Sequence, residues 1–200
     1  MKRGIVMLIA LDVDCTLYDT RACEDAIIKE ARRQFGVAKD AATFACSARY
    51  YQEKRNDPAV WFNPEYLITD AIAELKRYAD EHDDVHYIVV TARNVDKKYY
   101  DKLFAGCPLQ LDGIYQRDDY AFSKFELCRE LSVDALIDDN ERLCREYLRS
   151  KDRKPAYILY TGHNKRELVY FEDIIAKVPY KMNSWRELSR VMQKVRKNIC

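Results

Sequence analysis

The sequence predicts an α/β domain: a three-layer, doubly wound, mainly parallel sheet with a small helical cap inserted after the first strand. Three observations carry this. Short apolar runs alternate with helical patterns along the 200 residues. Most runs are continuous rather than alternating in polarity, as in strands covered on both faces. The span between the first two runs holds more than the single crossover helix that parallel strands require.

The elements follow in order. Residues 5–13 read as the first strand, apolar until the acids at its end. Residues 20–36 and 38–56 are two helical patterns. We expect the stretch 19–62 to form the cap, leaving 1–18 and 63–200 as the core. Asn63-Pro64 offers an N-cap and a proline at the first helical position for a helix over 66–82. Strands are expected at 85–91, 111–115, 133–138 and 156–161. Ser123 and Glu126 have capping-box spacing before a helix over 124–131, and Ser184 and Glu187 repeat it before 185–197. A further helix is expected over 141–149, where acids at 138 and 139 suit the amino end.

Composition narrows the function. The chain is 48% hydrophobic and 34% charged, ordinary for a soluble globular protein. A formal net charge of +1 gives no global field to recruit nucleic acid or an anionic membrane. The apolar stretch 5–11 is too short for a signal peptide or a bilayer span, so a cytoplasmic protein without a membrane partner is expected. Seven cysteines, an odd number with no CxxC pair, read as reduced thiols rather than a disulfide framework or zinc site. His82 and His86 flank a helix-to-strand change and are not expected to share a face.

The residues that carry chemistry converge. Asp12, Asp14 and Thr16 end the first strand; Thr91, followed by Ala92-Arg93, ends the second. Lys124 opens the helix after the third, and Asp138-Asp139 end the fourth. In a doubly wound sheet all these positions lie at the carboxyl edge, where ligands bind. Acids gathered in one crevice repel one another unless a cation sits among them, and oxygen ligands suit Mg²⁺. A hydroxyl and an ammonium, Thr91 and Lys124, suit a phosphoryl group. The set reads as phosphoryl transfer with an aspartate nucleophile.

These residues resemble the haloacid dehalogenase-like hydrolases, whose phosphatase members carry DxDx[TV], a hydrophobic strand ending in Thr or Ser, a Lys and a paired-acid motif. Here the motifs are Asp12-Val13-Asp14-Cys15-Thr16, Thr91, Lys124 and Asp138-Asp139, and the resemblance covers the whole core in the same order. It implies that Asp12 attacks phosphorus and forms an aspartyl-phosphate, and that Asp14 protonates the leaving group and then activates water. Thr16 would help hold the Asp14 loop. Mg²⁺ would be bound by the Asp12 carboxylate, the Asp14 backbone carbonyl and Asp138, with Asp139 supporting. Thr91 and Lys124 would hold the phosphoryl oxygens. Cys15 stands where that family most often has glycine; other members accept Asp or Asn there. A dehalogenase is disfavoured, because that chemistry needs neither Asp14 nor the metal.

The remaining readings stay open at this level. Arg93 either reaches the substrate or pairs with Asp96. His163 reads as a loop residue. Tyr50, Tyr51 and Trp61 either stack on an organic leaving group or pack the insertion, with packing favoured. Lys181, Arg186, Arg190, Lys194, Arg196 and Lys197 make a basic end to the chain, usually a solvated face but suited to a polyanion. The expected function is a Mg²⁺-dependent phosphatase of small phosphorylated substrates, leaning towards nucleotides. Polynucleotide ends, sugar phosphates and a non-catalytic relative that only binds are the alternatives.

Overall fold

The computed structural model describes residues 6–37, 40–162 and 172–199. His163 lies outside the described residues. The sheet has six strands: β1 (Met7–Leu11), β2 (Val85–Val90), β3 (Gly113–Tyr115), β4 (Ala135–Asp138), β5 (Ala156–Tyr160) and β6 (Tyr180–Met182). Their order is β3-β2-β1-β4-β5-β6, and every pairing is parallel. The chain winds outwards from β1 in both directions, so the topological switch point lies between β1 and β4.

Helices fill the two flanking layers. On one face, Ala10, Ile88, Val90, Leu136, Tyr157 and Leu159 pack with Phe125 and Cys128 of α6 (Lys124–Glu130) and Leu143, Cys144 and Tyr147 of α7 (Glu141–Arg149). On the other lie α4 (Thr69–Glu81) and α9 (Leu188–Ile199), which also meet each other. In α4 the buried positions Ala71, Ile72, Leu75 and Tyr78 recur at helical spacing. Fully burying a leucine such as Leu75 is worth roughly 1.5–3 kcal/mol. The Tyr87 hydroxyl donates to the Leu75 carbonyl at 2.9 Å, fastening α4 to β2.

Contacts divide the described chain into two compact units: residues up to 17 with 68–94 and 107 onwards, and residues 18–67 with 95–106. The second contains α1 (Thr20–Phe35), α2 (Ala41–Arg55), α3 (Pro58–Trp61) and α5 (Lys97–Leu103). Sequence patterning placed 95–106 in the core. Here Tyr100 of α5 instead meets Phe62 edge to face, with ring centroids 4.9 Å apart. Trp61 is buried in this unit, Tyr50 lies edge-on to Phe35, and the Tyr51 hydroxyl donates to Glu24 at 3.2 Å.

Two local expectations need correction. Asn63 accepts from the Glu65 N–H at 3.2 Å and so caps a 3₁₀ turn, Pro64–Tyr66. The chain then extends through Leu67 and Ile68, and α4 starts at Thr69 without a side-chain cap. Ser184 likewise caps a 3₁₀ turn, Trp185–Glu187, while Glu187 accepts from the Asn183 N–H at 2.8 Å. The short strand β6 and α5 escape a reading by apolar runs: β6 has three residues, with an exposed lysine at its centre.

The basic carboxyl-terminal stretch is partly engaged within the fold. Lys181 donates to the carbonyls of Ile175 and Ala176, and Arg190 pairs with Glu187. Arg196 forms a two-pronged pair with Asp84 at 2.7 and 2.9 Å and donates to the Tyr78 hydroxyl at 2.9 Å. It thereby ties α9 to the end of α4 and to the residue before β2. Among the described residues no helix is long and apolar enough to cross a membrane.

The hydrogen bonds from Arg196 hold the Asp84 carboxyl below its ordinary range, against the opposing effect of burial. A depressed folded-state pKa gives stability that is present above the unfolded value of 3.8 and lost as pH falls through the folded one. Asp84→Asn should therefore cost about 1 kcal/mol at neutral pH, a value discounted for solvent screening. Urea titrations should show the gap to wild type closing as pH drops below the ordinary carboxylate range. A gap that persists there would mean the pair is not its origin.

Candidate active site

Register builds the site. Leu11 of β1 lies opposite Ile137 of β4, and the Asp12 N–H donates to the Ile137 carbonyl at 3.0 Å. Asp12 therefore emerges beside Asp138, the last residue of β4. On the other side Leu11 lies opposite Val89, so Thr91 follows just beyond β2. Lys124 is the first residue of α6, whose N-cap Ser123 accepts from the Glu126 N–H at 3.2 Å. Thus two neighbouring strand ends and one helix start deliver two acids and an ammonium to one place.

All three are buried: Asp12 is 4% exposed, Asp138 0% and Lys124 7%. The Lys124 ammonium donates to Asp12 Oδ1 and, at 2.8 Å, to Asp138 Oδ2. The other Asp138 oxygen accepts from the Asn140 N–H at 2.8 Å. Asn140 in turn caps α7, accepting from the Arg142 N–H at 2.9 Å. Carboxylate oxygens of Asp12, Asp138 and half-buried Asp139 come within 4.8 Å of one another.

The electrostatics follow. Burial lifts the Asp12 carboxyl to about 7; Lys124 pulls it down, and Asp138 and Asp14 push it up. Burial, with Asp12 and Asp138, lifts Asp139 to about 9. Burial also works against the Lys124 ammonium, but Asp12 and Asp138 outweigh it and hold its pKa above the ordinary lysine range. Two like charges about 5 Å apart repel by roughly 3 kcal/mol at an effective dielectric near 20. One ammonium does not offset burial and this repulsion among three acids, which is why Asp12 and Asp139 are lifted so far. The oxygen-only donor set of Asp12, Asp138 and Asp139 therefore fits a hard divalent cation such as Mg²⁺.

The other expected residues fall as follows. Thr91 is fully buried, and its Oγ1 accepts from the Arg93 N–H at 3.2 Å. That contact leaves the hydroxyl hydrogen to be donated. The Asp14 carboxylate is separate from the three-acid cluster: its Oδ2 accepts from Arg93 Nε at 2.6 Å. Arg93 is therefore paired with Asp14, and Asp96 instead pairs with Lys98 at 2.8 Å. Thr16 is buried, and its hydroxyl has no hydrogen-bond partner among the described residues. It serves the Asp14 loop through its backbone N–H, which reaches the Val13 carbonyl at 3.3 Å. His86 meets Asp112 at 2.6 Å, while the His82 ring lies 4.5 Å from that of Tyr78.

Two tyrosines that the motifs did not single out support the site. The Tyr120 hydroxyl donates to the Thr91 carbonyl at 3.1 Å. The Tyr157 hydroxyl reaches the Asn140 carbonyl at 2.8 Å and that of Asp138 at 3.3 Å. For Tyr157 a signal existed: a phenol in a strand buried along its whole length needs a partner for its hydroxyl.

Comparison with protein-family models and with curated proteins finds no match. Solved structures do match. A HAD-superfamily hydrolase of subfamily IA from Geobacter sulfurreducens superposes with a TM-score of 0.59 at 12% identity, over 94% of this chain and 97% of its own. A predicted phosphatase from Clostridium acetobutylicum gives 0.54 at 16%, over 96% and 100%. A 2-haloacid dehalogenase from Pseudomonas syringae gives 0.53 at 12%, over 94% and 99%. The chain has the fold of the haloacid dehalogenase-like hydrolases, with an all-parallel six-stranded sheet between helical layers.

Cys15 adopts φ = 57°, a left-handed conformation that costs a non-glycine residue roughly 1–2 kcal/mol. The turn that presents Asp14 is thus strained at the position where glycine is usual in the resembling family. Cys15→Gly should raise stability by up to about 1 kcal/mol, after allowing for glycine's greater unfolded-state freedom. Cys15→Ala, which keeps the Cβ, should not. Equal denaturation midpoints for the two variants would contradict a strained turn.

Proposed function

We propose that this protein is a divalent-cation-dependent phosphatase of phosphomonoesters, with Asp12 as nucleophile. The observation that carries the reading is the buried junction of Asp12, Asp138 and Lys124, with Asp139 completing the acids. In this reading an Asp12 carboxylate oxygen bonds to phosphorus as the bond to the leaving oxygen breaks. Asp14 gives that oxygen a proton, then takes one from the water that releases inorganic phosphate from Asp12. Lys124 draws the Asp12 carboxyl towards its ionised form and offers its charge to the phosphoryl oxygens, with the Thr91 hydroxyl donating beside it. Asp12, Asp138 and Asp139 would hold Mg²⁺, which when bound neutralises charge between these acids and a dianionic phosphate. The presence of Asp14, paired and half-exposed at the same edge, favours phosphate chemistry over dehalogenation, which has no leaving alkoxide to protonate.

A nucleoside leaving group is the finer part of the reading. Trp61 and Trp185 are buried and Tyr51 is engaged with Glu24, so none of them is offered as a stacking plane. Its support is Tyr50, which with Tyr66, Lys54 and Asn63 borders a cavity of about 340 Å³ in the helical unit. That combination of rings and polar groups suits a base.

One assay tests both levels. Purified protein is given nucleoside monophosphates, sugar phosphates, an aryl phosphate and chloroacetate, each with Mg²⁺ and with excess chelator. Phosphate release that chelation abolishes and Mg²⁺ restores is expected, with nucleotides turned over fastest and no chloride released. Full turnover in chelator, or chloride release alone, would overturn the phosphatase reading. Equal rates for nucleotides and sugar phosphates would remove the nucleoside preference.

A further inference from the structure

The loop from β3 to α6, residues 116–123, is fixed along its length. The Gln116 N–H donates to Asp119 Oδ2 at 2.7 Å, and the Asp118 N–H to Asn94 Oδ1 at 2.8 Å. The Arg117 guanidinium donates to the Tyr120 carbonyl at 2.7 Å and lies over the Tyr120 ring. Tyr120 is buried with its hydroxyl on the Thr91 carbonyl, and Lys124 is buried with its ammonium on Asp12 and Asp138. Residues 120 and 124 thus both turn into the site, and the chain between them runs along its rim. Midway stands Phe122, 74% exposed, the most exposed large apolar side chain among the described residues. Local structure gives this ring no task. Phe122 precedes the N-cap Ser123, the position from which an apolar side chain packs on the fourth residue of a helix, here buried Leu127. Such a staple would cover the ring, and the ring is uncovered.

We propose that Phe122 is a specificity-determining residue, an aromatic plane on which the leaving group of the phosphomonoester stacks. This deepens the phosphatase reading and rests on it. Asp12 lies at the end of a buried strand, and the leaving oxygen departs in line on the side away from it. The group carried by that oxygen therefore extends outwards, over the rim. Phe122 is two residues from Lys124, no more than about 7 Å of backbone, so the rim it occupies adjoins the phosphoryl position. A ring on a fixed loop has only two side-chain torsions to order when it binds. Its quadrupole favours a second planar π system, such as an aryl group or a nucleobase, over a polyol, which offers no face to stack. Functional side chains are commonly placed in this way, on a loop held by a rigid scaffold.

Binding tests this apart from turnover. Benzylphosphonate carries carbon in place of the ester oxygen of an aryl phosphate and is not hydrolysed; methylphosphonate offers the phosphoryl oxygens with no ring. Both are titrated calorimetrically into the protein with Mg²⁺. Wild type should bind benzylphosphonate about tenfold more tightly than methylphosphonate, the scale of one aromatic pair. Phe122→Ala should lose most of that advantage. Phe122→Trp should keep it, and Phe122→Leu, apolar without a π face, should not. An advantage that is absent from wild type, that survives in Phe122→Ala, or that is lost in Tyr50→Ala instead would overturn the assignment. Failure of the phosphatase reading looks different: benzylphosphonate binds through Phe122, yet no phosphomonoester releases phosphate with Mg²⁺.

Discussion

A buried ammonium shared by two carboxylates, Lys124 with Asp12 and Asp138, is the contact on which the site's geometry depends. Its members come from β1, β4 and the first turn of α6, and none is more than 7% exposed. Removing one partner of such a group leaves uncompensated buried charge, typically at a cost of about 3–5 kcal/mol. The register of β1 on β4, the Ser123 cap and the Tyr157 hydroxyl on the loop after β4 all serve to keep these charges together. The fold thereby accepts a local excess of negative charge that one lysine does not neutralise. This excess makes the place fit for a cation.

The turn after β1 shows a second constraint. Asp14 is two residues from Asp12, yet its carboxylate belongs to a different contact, the one with Arg93. The left-handed Cys15 and the hydrogen bonds from Thr16 and Leu17 back to Val13 reverse the chain within a few residues. Two carboxylates close in sequence are thus given different surroundings: Asp12 buried against an ammonium, Asp14 half-exposed against a guanidinium. Pairs of acids whose environments differ in this way are the usual basis for dividing nucleophilic from acid–base work.

Much of the sheet and its site was legible in the sequence, because a strand buried on both faces leaves a continuous apolar run and any acid at its end stands out. That applied to Asp12 after β1 and Asp138 at the end of β4, and the parallel arrangement then placed them on one edge. The partner of Arg93 was not legible: Asp96 is close in sequence, whereas Asp14 is brought near only by the pairing of β1 with β2. The strand β6 was hidden by its length. The starts of α4 and α9 were misplaced because Asn63 and Ser184 satisfy the N–H groups of short 3₁₀ turns, and capping chemistry alone does not tell a 3₁₀ turn from an α-helix. Residues 95–106 carry no composition that separates them from the core, and packing such as that of Tyr99 and Tyr100 on Phe62 assigns them to the helical unit.

The central claim is that Asp12 bonds covalently to phosphorus. Protein quenched in acid during turnover and analysed by peptide mass spectrometry tests it directly. The account predicts a phosphoryl group on the peptide containing Asp12, fragmenting at Asp12 and absent from Asp12→Asn. Sustained turnover with no phosphoryl adduct on that peptide, or an adduct that persists in Asp12→Asn, would contradict it.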